Sequence, residues 1–444
     1  MRFPRTSADP VLSPRVRTVT SVLIVAVVVS SFVGRYDLPI AGFRVRIEQV
    51  VPLVLAAWML GHPLLRGAFF RAARHPVPLV YAAFVAWNVV TTLVFSPSLG
   101  WSASILIWLM IDLLLLISLM ALAEGANLAE RLGRLSVAPW ALVGFTAFAV
   151  ANLTRGRVSF GADFDYLYEV YVARATAIEA NIYASILVFW TLLAVTRRGL
   201  SRVEITAIAI AVPLGLIASQ TRTAVFSLLL GLAVFAAYAL LVDRRPARER
   251  WRRVLPAAIV ACTVVFSYGI LAASGSTAPA DRTLSATSSP SPGATREPDP
   301  SNPEQQNKIG DIDFDGGTIG FRVTVAELAA EDMHGVNLWF GNGTNTFGLR
   351  HEQPGTPGVS GHIIMLPIQV LYDGGIVGLG LLGAFFVTVF ACVPRRRRPV
   401  AAGLLAAYVL SATLTSMFWF AVTWILVAVL VRPESASERD LGDA

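Results

Sequence analysis

Residues 221–273 read TRTAVFSLLLGLAVFAAYALLVDRRPARERWRRVLPAAIVACTVVFSYGILAA. Two apolar runs, at 222–242 and 254–273, each come close to the ~20 residues that cross ~30 Å of hydrocarbon. Between them lies a charged turn, DRRPARERWRR, holding six arginines. Turns on the cytoplasmic side of a membrane carry the basic excess, so the first run is expected to pass inward and the second outward. This one stretch sets both the fold class and the orientation.

The pattern repeats outward from it. Apolar runs fall at residues 18–33, 48–65, 77–95, 102–123, 136–153, 180–196 and 203–219 before this pair, and at 375–393, 400–414 and 416–431 after it. Twelve runs in all are expected to span, the last two separated only by a weak turn at Ser411 to Ser416. With the N-terminus inside, the inner segments hold 24 arginines and leave 12 basic residues for the much longer outer segments. The sequence thus predicts an all-α polytopic membrane protein of about twelve transmembrane helices, its N-terminus cytoplasmic, with a large extracytoplasmic loop between helices 9 and 10. Residues 1–273 carry helices 1–9. Residues 274–361 form the outer loop, and residues 362–444 an interfacial helix, helices 10–12 and a cytoplasmic tail. Within the loop, the Ser/Pro-rich tract 274–309 cannot bury enough apolar surface to offset its ordering entropy and is expected to be disordered. A short helix is expected at 321–332.

Composition agrees with this class. Of 444 residues, 55% are hydrophobic and 15% charged, a balance foreign to water-soluble domains of this size. The net charge of +7 comes from arginines in short clusters between apolar runs, Lys308 being the one lysine. That pattern argues against nucleic-acid binding. Cys262 and Cys392 both fall in predicted spans, so no disulfide framework is expected. The first run lacks a small-residue cleavage site and is read as a retained helix.

Several polar residues stand where apolar chains need a reason for them. Arg222 enters an apolar helix from the outer side; a guanidinium there either snorkels to headgroups or forms an anion site, its planar fork suiting phosphate oxygens. Arg174 likewise precedes a run, with Asn181 in the first turn after it. Arg322, in GFRVTVAEL, is a third candidate, the alternative being a solvated loop charge. In GVSGHIIMLPIQVLYDGGIVG, residues 358–378, His362 stands at the outer mouth of a membrane helix. A neutral imidazole there can take a proton from a hydroxyl; the alternative is an interfacial histidine without a chemical role. Asp373-Gly374-Gly375 is expected to break the following helix, and Pro367 to discourage a continuous one. GNGTNTFG, with Gly341 and Gly343, is read as a turn that brings backbone close to something. DIDFDGG opens like a calcium loop, but Arg322 occupies the position that needs a bidentate Glu, which excludes a full EF-hand. ADFDY, at 162–166, is read as a solvated interfacial loop. No metal site and no cofactor are expected.

In chain order, RATAIEAN (Arg174 to Asn181), TRTA at Arg222, Arg322, GNGTNTF, His362 and LYDGGIVG resemble the O-antigen ligase and O-antigen polymerase superfamily. The likeness covers residues 150–395. It departs at Ile363, where Asn is common, at Asp373, where Glu is usual, and at Ala180, where Pro is frequent. The resemblance implies a GT-C-like bacterial inner-membrane enzyme. Such an enzyme moves a glycan from a polyprenyl diphosphate, such as undecaprenyl diphosphate, to a hydroxyl on a glycan, lipid or protein acceptor outside the cytoplasm. Catalysis would rest on His362, Arg222 and Arg322. Arg174, Asn181, Gly341, Gly343 and Asp373 would bind substrate. A transporter or flippase of a lipid-linked or anionic substrate is the alternative, although its long connection would usually be central and internal. An acidic-motif glycosyltransferase ranks lower, because the first outer loop offers only Asp37 and Glu48.

Overall fold

The computed structural model describes residues 12–34, 37–40, 43–165, 170–196, 200–242, 246–273, 308–309, 312–313, 317–351 and 363–432. The first third of the chain forms α1 (Pro14–Ser30), a hairpin of β1 (Asp37–Ile40) and β2 (Phe43–Arg46), then α2 (Ile47–Gly61), α3 (Pro63–Ala73), α4 (Pro76–Phe95) and α5 (Leu99–Met120). The middle holds α6 (Ala123–Leu135), α7 (Val137–Leu153), a second hairpin of β3 (Ala162–Asp165) and β4 (Val170–Ala173), and α8 (Ala180–Val195) to α11 (Ala247–Ala273), with α9 at Arg202–Ser219 and α10 at Arg222–Leu241. Two short strands follow, β5 (Lys308–Ile309) and β6 (Ile312–Asp313), then α12 (Gly317–Asp332), α13 (Val336–Phe340) and α14 (Phe347–His351). The chain closes with α15 (Leu366–Cys392), α16 (Arg398–Ala412) and α17 (Ala421–Val431).

Six of these helices, α4, α5, α9, α10, α11 and α15, are long and apolar enough to cross a membrane. The number rises to eight if the bent pairs α2–α3, at 113°, and α6–α7, at 40°, each count as one span. Every apolar run expected to cross does carry helix, but several helices are too short. At 1.5 Å per residue the 11 residues of α17 reach about 17 Å and the 16 of α8 about 24 Å. The run expected at 48–65 is cut instead. His62 is extended (φ −100, ψ 121) and Pro63 opens α3, so the chain turns sharply at the end of α2. The amphipathic α6, read from sequence as an inner loop, is an addition.

Local chemistry explains the boundaries. Ser201 and Glu204 form a capping box that starts α9: Glu204 N–H donates to Ser201 Oγ at 3.1 Å, and Ser201 N–H to Glu204 Oε2 at 2.8 Å. Proline opens α1, α3 and α4 from the first turn, where its missing N–H costs nothing. Pro367 does the same for α15, so it begins that helix rather than interrupting it. The expected helix at 321–332 is present as α12 and starts earlier, at Gly317. Of the tract expected to be disordered, only Lys308 and Ile309 lie among the described residues, in β5.

Helix packing is tightest between α10 and α16. A Cβ on Gly231 would meet the carbonyl oxygen of Gly403 at 2.9 Å, and one on Gly403 would meet that of Gly231 at 2.6 Å, so the two backbones touch. Between α16 and α17 the chain is non-helical, yet Met417 and Phe418 are fully buried. Their carbonyls are served by Thr423 Oγ1 (2.8 Å) and Trp424 Nε1 (3.1 Å), which is how irregular backbone is tolerated inside a bundle. Beside the end of this segment Arg46, Glu48, Gln49 and Asp112 are buried, Arg46 facing the Phe420 ring at 5.2 Å. Arg46 Nη1 lies 2.9 Å from Glu48 Oε1, and its guanidinium sits 4.4 Å from the centre of the Trp108 ring.

Candidate functional site

The polar residues singled out by sequence gather in two assemblies. In the first, β3 and β4 pair antiparallel with Asp163 opposite Val172. The N–H groups of Arg174 and Ala175 then both donate to the carbonyl of Gly161, at 3.0 and 2.9 Å, turning the chain toward α8. Arg174 is 5% exposed, and its Nε lies 2.8 Å from Asp163 Oδ2. The approach is an ion-pair contact without the alignment of a hydrogen bond. The described part of ADFDY, Ala162–Asp165, is therefore a strand and not a loop, with Asp163 and Phe164 exposed as expected and Asp163 beside Arg174. Glu179, at the cap of α8, has its carboxyl pushed up by burial and by the charge of Asp163.

Asn181 follows in the first turn of α8, and its Oδ1 accepts from Thr221 Oγ1 at 3.3 Å. Thr221 is the cap of α10, and Arg222 is the first residue of that helix, its side chain exposed. Arg174 thus precedes α8, Asn181 lies in its first turn, and the Thr221 bond sets the start of α10, with Arg222, beside that turn.

The second assembly joins GNGTNT to the break in α15. Gly375 has φ 66 and ψ −167 in the middle of that helix, which divides it as the Asp-Gly-Gly sequence predicts. A break leaves helix carbonyls open, and each buried carbonyl needs a donor. Tyr372 O accepts from Asn342 N–H (2.8 Å), Asp373 O from Gly343 N–H (3.2 Å), and Gly374 O from Trp87 Nε1 of α4 (2.7 Å). The Asp373 side chain returns the favour, its Oδ1 accepting from Asn345 N–H at 3.0 Å. Thr344 reaches α4, with Oγ1 3.2 Å from Asn88 Oδ1 and its N–H donating to Thr92 Oγ1 at 3.2 Å. The loop is buried throughout, Asn342, Thr344 and Thr346 at 0% exposure.

Only glycine fits at two of these positions. Gly341 has φ +86, and a Cβ there would lie 2.3 Å from Asp373 O; at Gly375 a Cβ would lie 2.3 Å from Trp339 O. Gly341, Gly343 and Asp373, expected to touch substrate, are buried in this joint and hold two segments of backbone together.

Beside the joint, Asp332 at the end of α12 gathers three partners. Tyr372 Oη donates to its Oδ2 at 2.6 Å, His351 Nε2 lies 2.9 Å from the same oxygen, and Arg350 Nη1 lies 4.0 Å away. Burial raises the Asp332 carboxyl, but the hydrogen bonds from Tyr372 and His351 and the positive charges nearby outweigh it and hold it below its ordinary value. Arg322 lies in the second turn of the same helix, half-buried, its Nε without a hydrogen-bond partner among the described residues and its guanidinium pKa lowered by burial. It is not a solvated loop charge. Val325 and Ala329 of α12 pack with Phe347, Ile363 and Tyr372 in a small core of their own. His362, the expected base, lies outside the described residues, as does most of DIDFDGG; Ile363, the residue after His362, is anchored in that small core.

Both assemblies face the same end of the bundle. Helices α15 and α16 pack together and are joined by the five residues 393–397, so they run antiparallel. Counted back from Cys392, the break at Gly375 therefore lies toward the end of α16 and not its start. There Ser411 Oγ bonds Ser185 Oγ of α8 at 3.0 Å, one turn from Asn181.

Sequence reasoning missed Trp87, Asn88 and Thr92, although a Trp-Asn pair and two threonines in an apolar run were a readable sign. It also missed Asp332 and His351, whose separation of 19 residues carries no motif. No family model matches the chain, and no curated protein matches it. Among the described residues no group of three or more His, Cys, Asp or Glu side chains could hold a metal ion.

Proposed function

We propose that this chain is a membrane glycosyltransferase of the O-antigen ligase or polymerase kind. It would take a glycan from a polyprenyl diphosphate and give it to an acceptor hydroxyl on the outer face of a bacterial cytoplasmic membrane. The observation that carries the reading is that the Arg174–Asn181–Arg222 assembly and the joint between GNGTNT and Asp373-Gly374-Gly375 lie toward the same end of an apolar helical bundle, linked through α16. The same motifs in the same order carry the resemblance. Twelve spans with the N-terminus inside would turn that end outward.

In the proposed reaction the acceptor oxygen forms a bond to the anomeric carbon as the bond from that carbon to the diphosphate oxygen breaks. The hydroxyl proton passes to His362, and the electron pair leaves with the diphosphate. A single displacement of this kind inverts the sugar. Negative charge grows on the diphosphate in the transition state, so guanidinium groups already in place at Arg222 and Arg322 stabilise it more than the ground state. Arg174, held by Asp163, is suited to setting the local field and the shape of the entrance more than to meeting the anion directly. With arginine supplying the charge, the scheme uses no metal.

The test is glycan transfer in membranes. His362→Ala and Arg222→Ala each abolish it while the protein remains folded and inserted; normal transfer by both removes the mechanism. Transfer persists in EDTA, and its full loss there, restored by a divalent ion, refutes metal independence.

A further inference from the structure

At the other end of the bundle lies a cavity of about 450 Å³ between α6, α7, α8 and α9. Its position follows from the helices that line it. Ala194 is near the end of α8, whose first turn carries Asn181, while Leu200, Val203 and Ala207 are at or before the start of α9, whose far end leads to Arg222. Thirteen residues of α8 separate Asn181 from Ala194, about 20 Å at 1.5 Å per residue. The cavity is distinct from the candidate site.

Its lining has two parts. Arg131 and Arg134 project from the amphipathic α6, while Leu135, Ala138, Val203, Ala207 and their neighbours make apolar walls. The rim is open toward the outside of the bundle: Leu135 is 65% and Val203 79% exposed. Acidic groups nearby are already engaged. Glu130 lies between Arg432, at 2.6 Å, and Arg134, at 3.7 Å. Glu204, which also lines the cavity, accepts from the backbone N–H of Ser201. Arg131 forms no ion pair among the described residues. Among the described residues, Arg131, Arg134 and Arg432 stand against Glu130 and Glu204, which leaves the cavity positive through Arg131.

A positive pocket with apolar walls and an exposed apolar rim matches a phosphate attached to hydrocarbon. We propose that this cavity binds the phosphodiester headgroup of an anionic membrane lipid, its chains lying along Leu135 and Val203. Guanidinium donates to phosphate oxygens in pairs, and the exposed apolar rim gives the chains a path that a soluble anion would not need. The lipid would bridge α6 to α9 at the end of the protein opposite the proposed chemistry.

The experiment is native mass spectrometry of the full-length protein released from vesicles of equal parts phosphatidylglycerol and phosphatidylcholine. Wild type retains phosphatidylglycerol over phosphatidylcholine. Arg131→Ala lowers that retention about tenfold, the loss of one charge-assisted contact. Ala207→Phe, which fills the cavity from its apolar wall without changing charge, lowers it as well. Equal retention of the two lipids by wild type overturns the proposal, as does undiminished phosphatidylglycerol in both variants. Loss of the lipid to millimolar inorganic phosphate, with phosphate retained in its place, overturns it too and assigns the cavity to a soluble anion.

Discussion

Asp373, expected from the resemblance to bind substrate, also carries a bond within the fold. Its side chain is 4% exposed, and Oδ1 accepts the backbone N–H of Asn345. Asp373→Ala leaves that N–H buried without an acceptor, which costs about 1–3 kcal/mol. Thermal unfolding in detergent shows the loss as a lower midpoint, while Asp373→Asn, which keeps an acceptor oxygen, retains most of the stability. Asp332 makes a different prediction. Its folded-state value lies below the ordinary 3.8, so its ionised form stabilises the fold. That contribution is present above pH 3.8 and is lost as pH falls through the depressed folded value. Acid titration of wild type and Asp332→Asn checks it: their stabilities differ by a constant amount above about pH 4 and converge as pH falls below it. At this scale the sequence was legible in part. Arg222 and the Asp-Gly-Gly break stand out because charge and paired glycines are rare in apolar runs, whereas the bonds of Asp332 to His351 and Tyr372 depend on tertiary placement that no local spacing encodes.

Among the elements, α10 and α16 form the clearest constraint, because Gly231 and Gly403 face one another at backbone contact. Gly231→Val forces the helices apart, since a Cβ there meets carbonyl oxygen and backbone cannot rotate away. The variant is expected to unfold at markedly lower temperature than wild type, whereas Gly380→Val on α15, where a Cβ meets nothing within 4 Å, leaves the midpoint nearly unchanged. Helix existence was read well from apolar runs, and helix length less well. A run of apolar residues reports burial from water, but not where His62 goes extended or where Thr413 to Phe420 leaves the helix. Those breaks are held by side-chain bonds to carbonyls, such as Trp424 to Phe418, which lie outside any hydropathy pattern.

For the molecule as a whole, the arginine pattern predicts an orientation that reporter fusions can read. An enzyme active only outside the cytoplasm is expected to be silent when fused after Arg245 and active when fused after Pro300; the reverse result inverts the topology. The class of fold was legible from composition and apolar spacing. The grouping of Arg174, Asn181 and Arg222 was legible only as a set of helix entrances, because packing decides which entrances meet.

The joint around Gly374 is built from parts far apart in the chain: Trp87 reaches a carbonyl 287 residues later, and Asn88 a threonine 256 residues later. A ribosome must therefore have delivered more than four-fifths of the protein before that joint can close, long after the early helices have entered the bilayer. Between those moments α4 carries Trp87 and Asn88 without their partners, a polar liability in hydrocarbon that a chaperone or an insertase would have to shelter. Chains that stop before residue 374 would then be recognised and degraded as unfinished rather than persist as partly working protein.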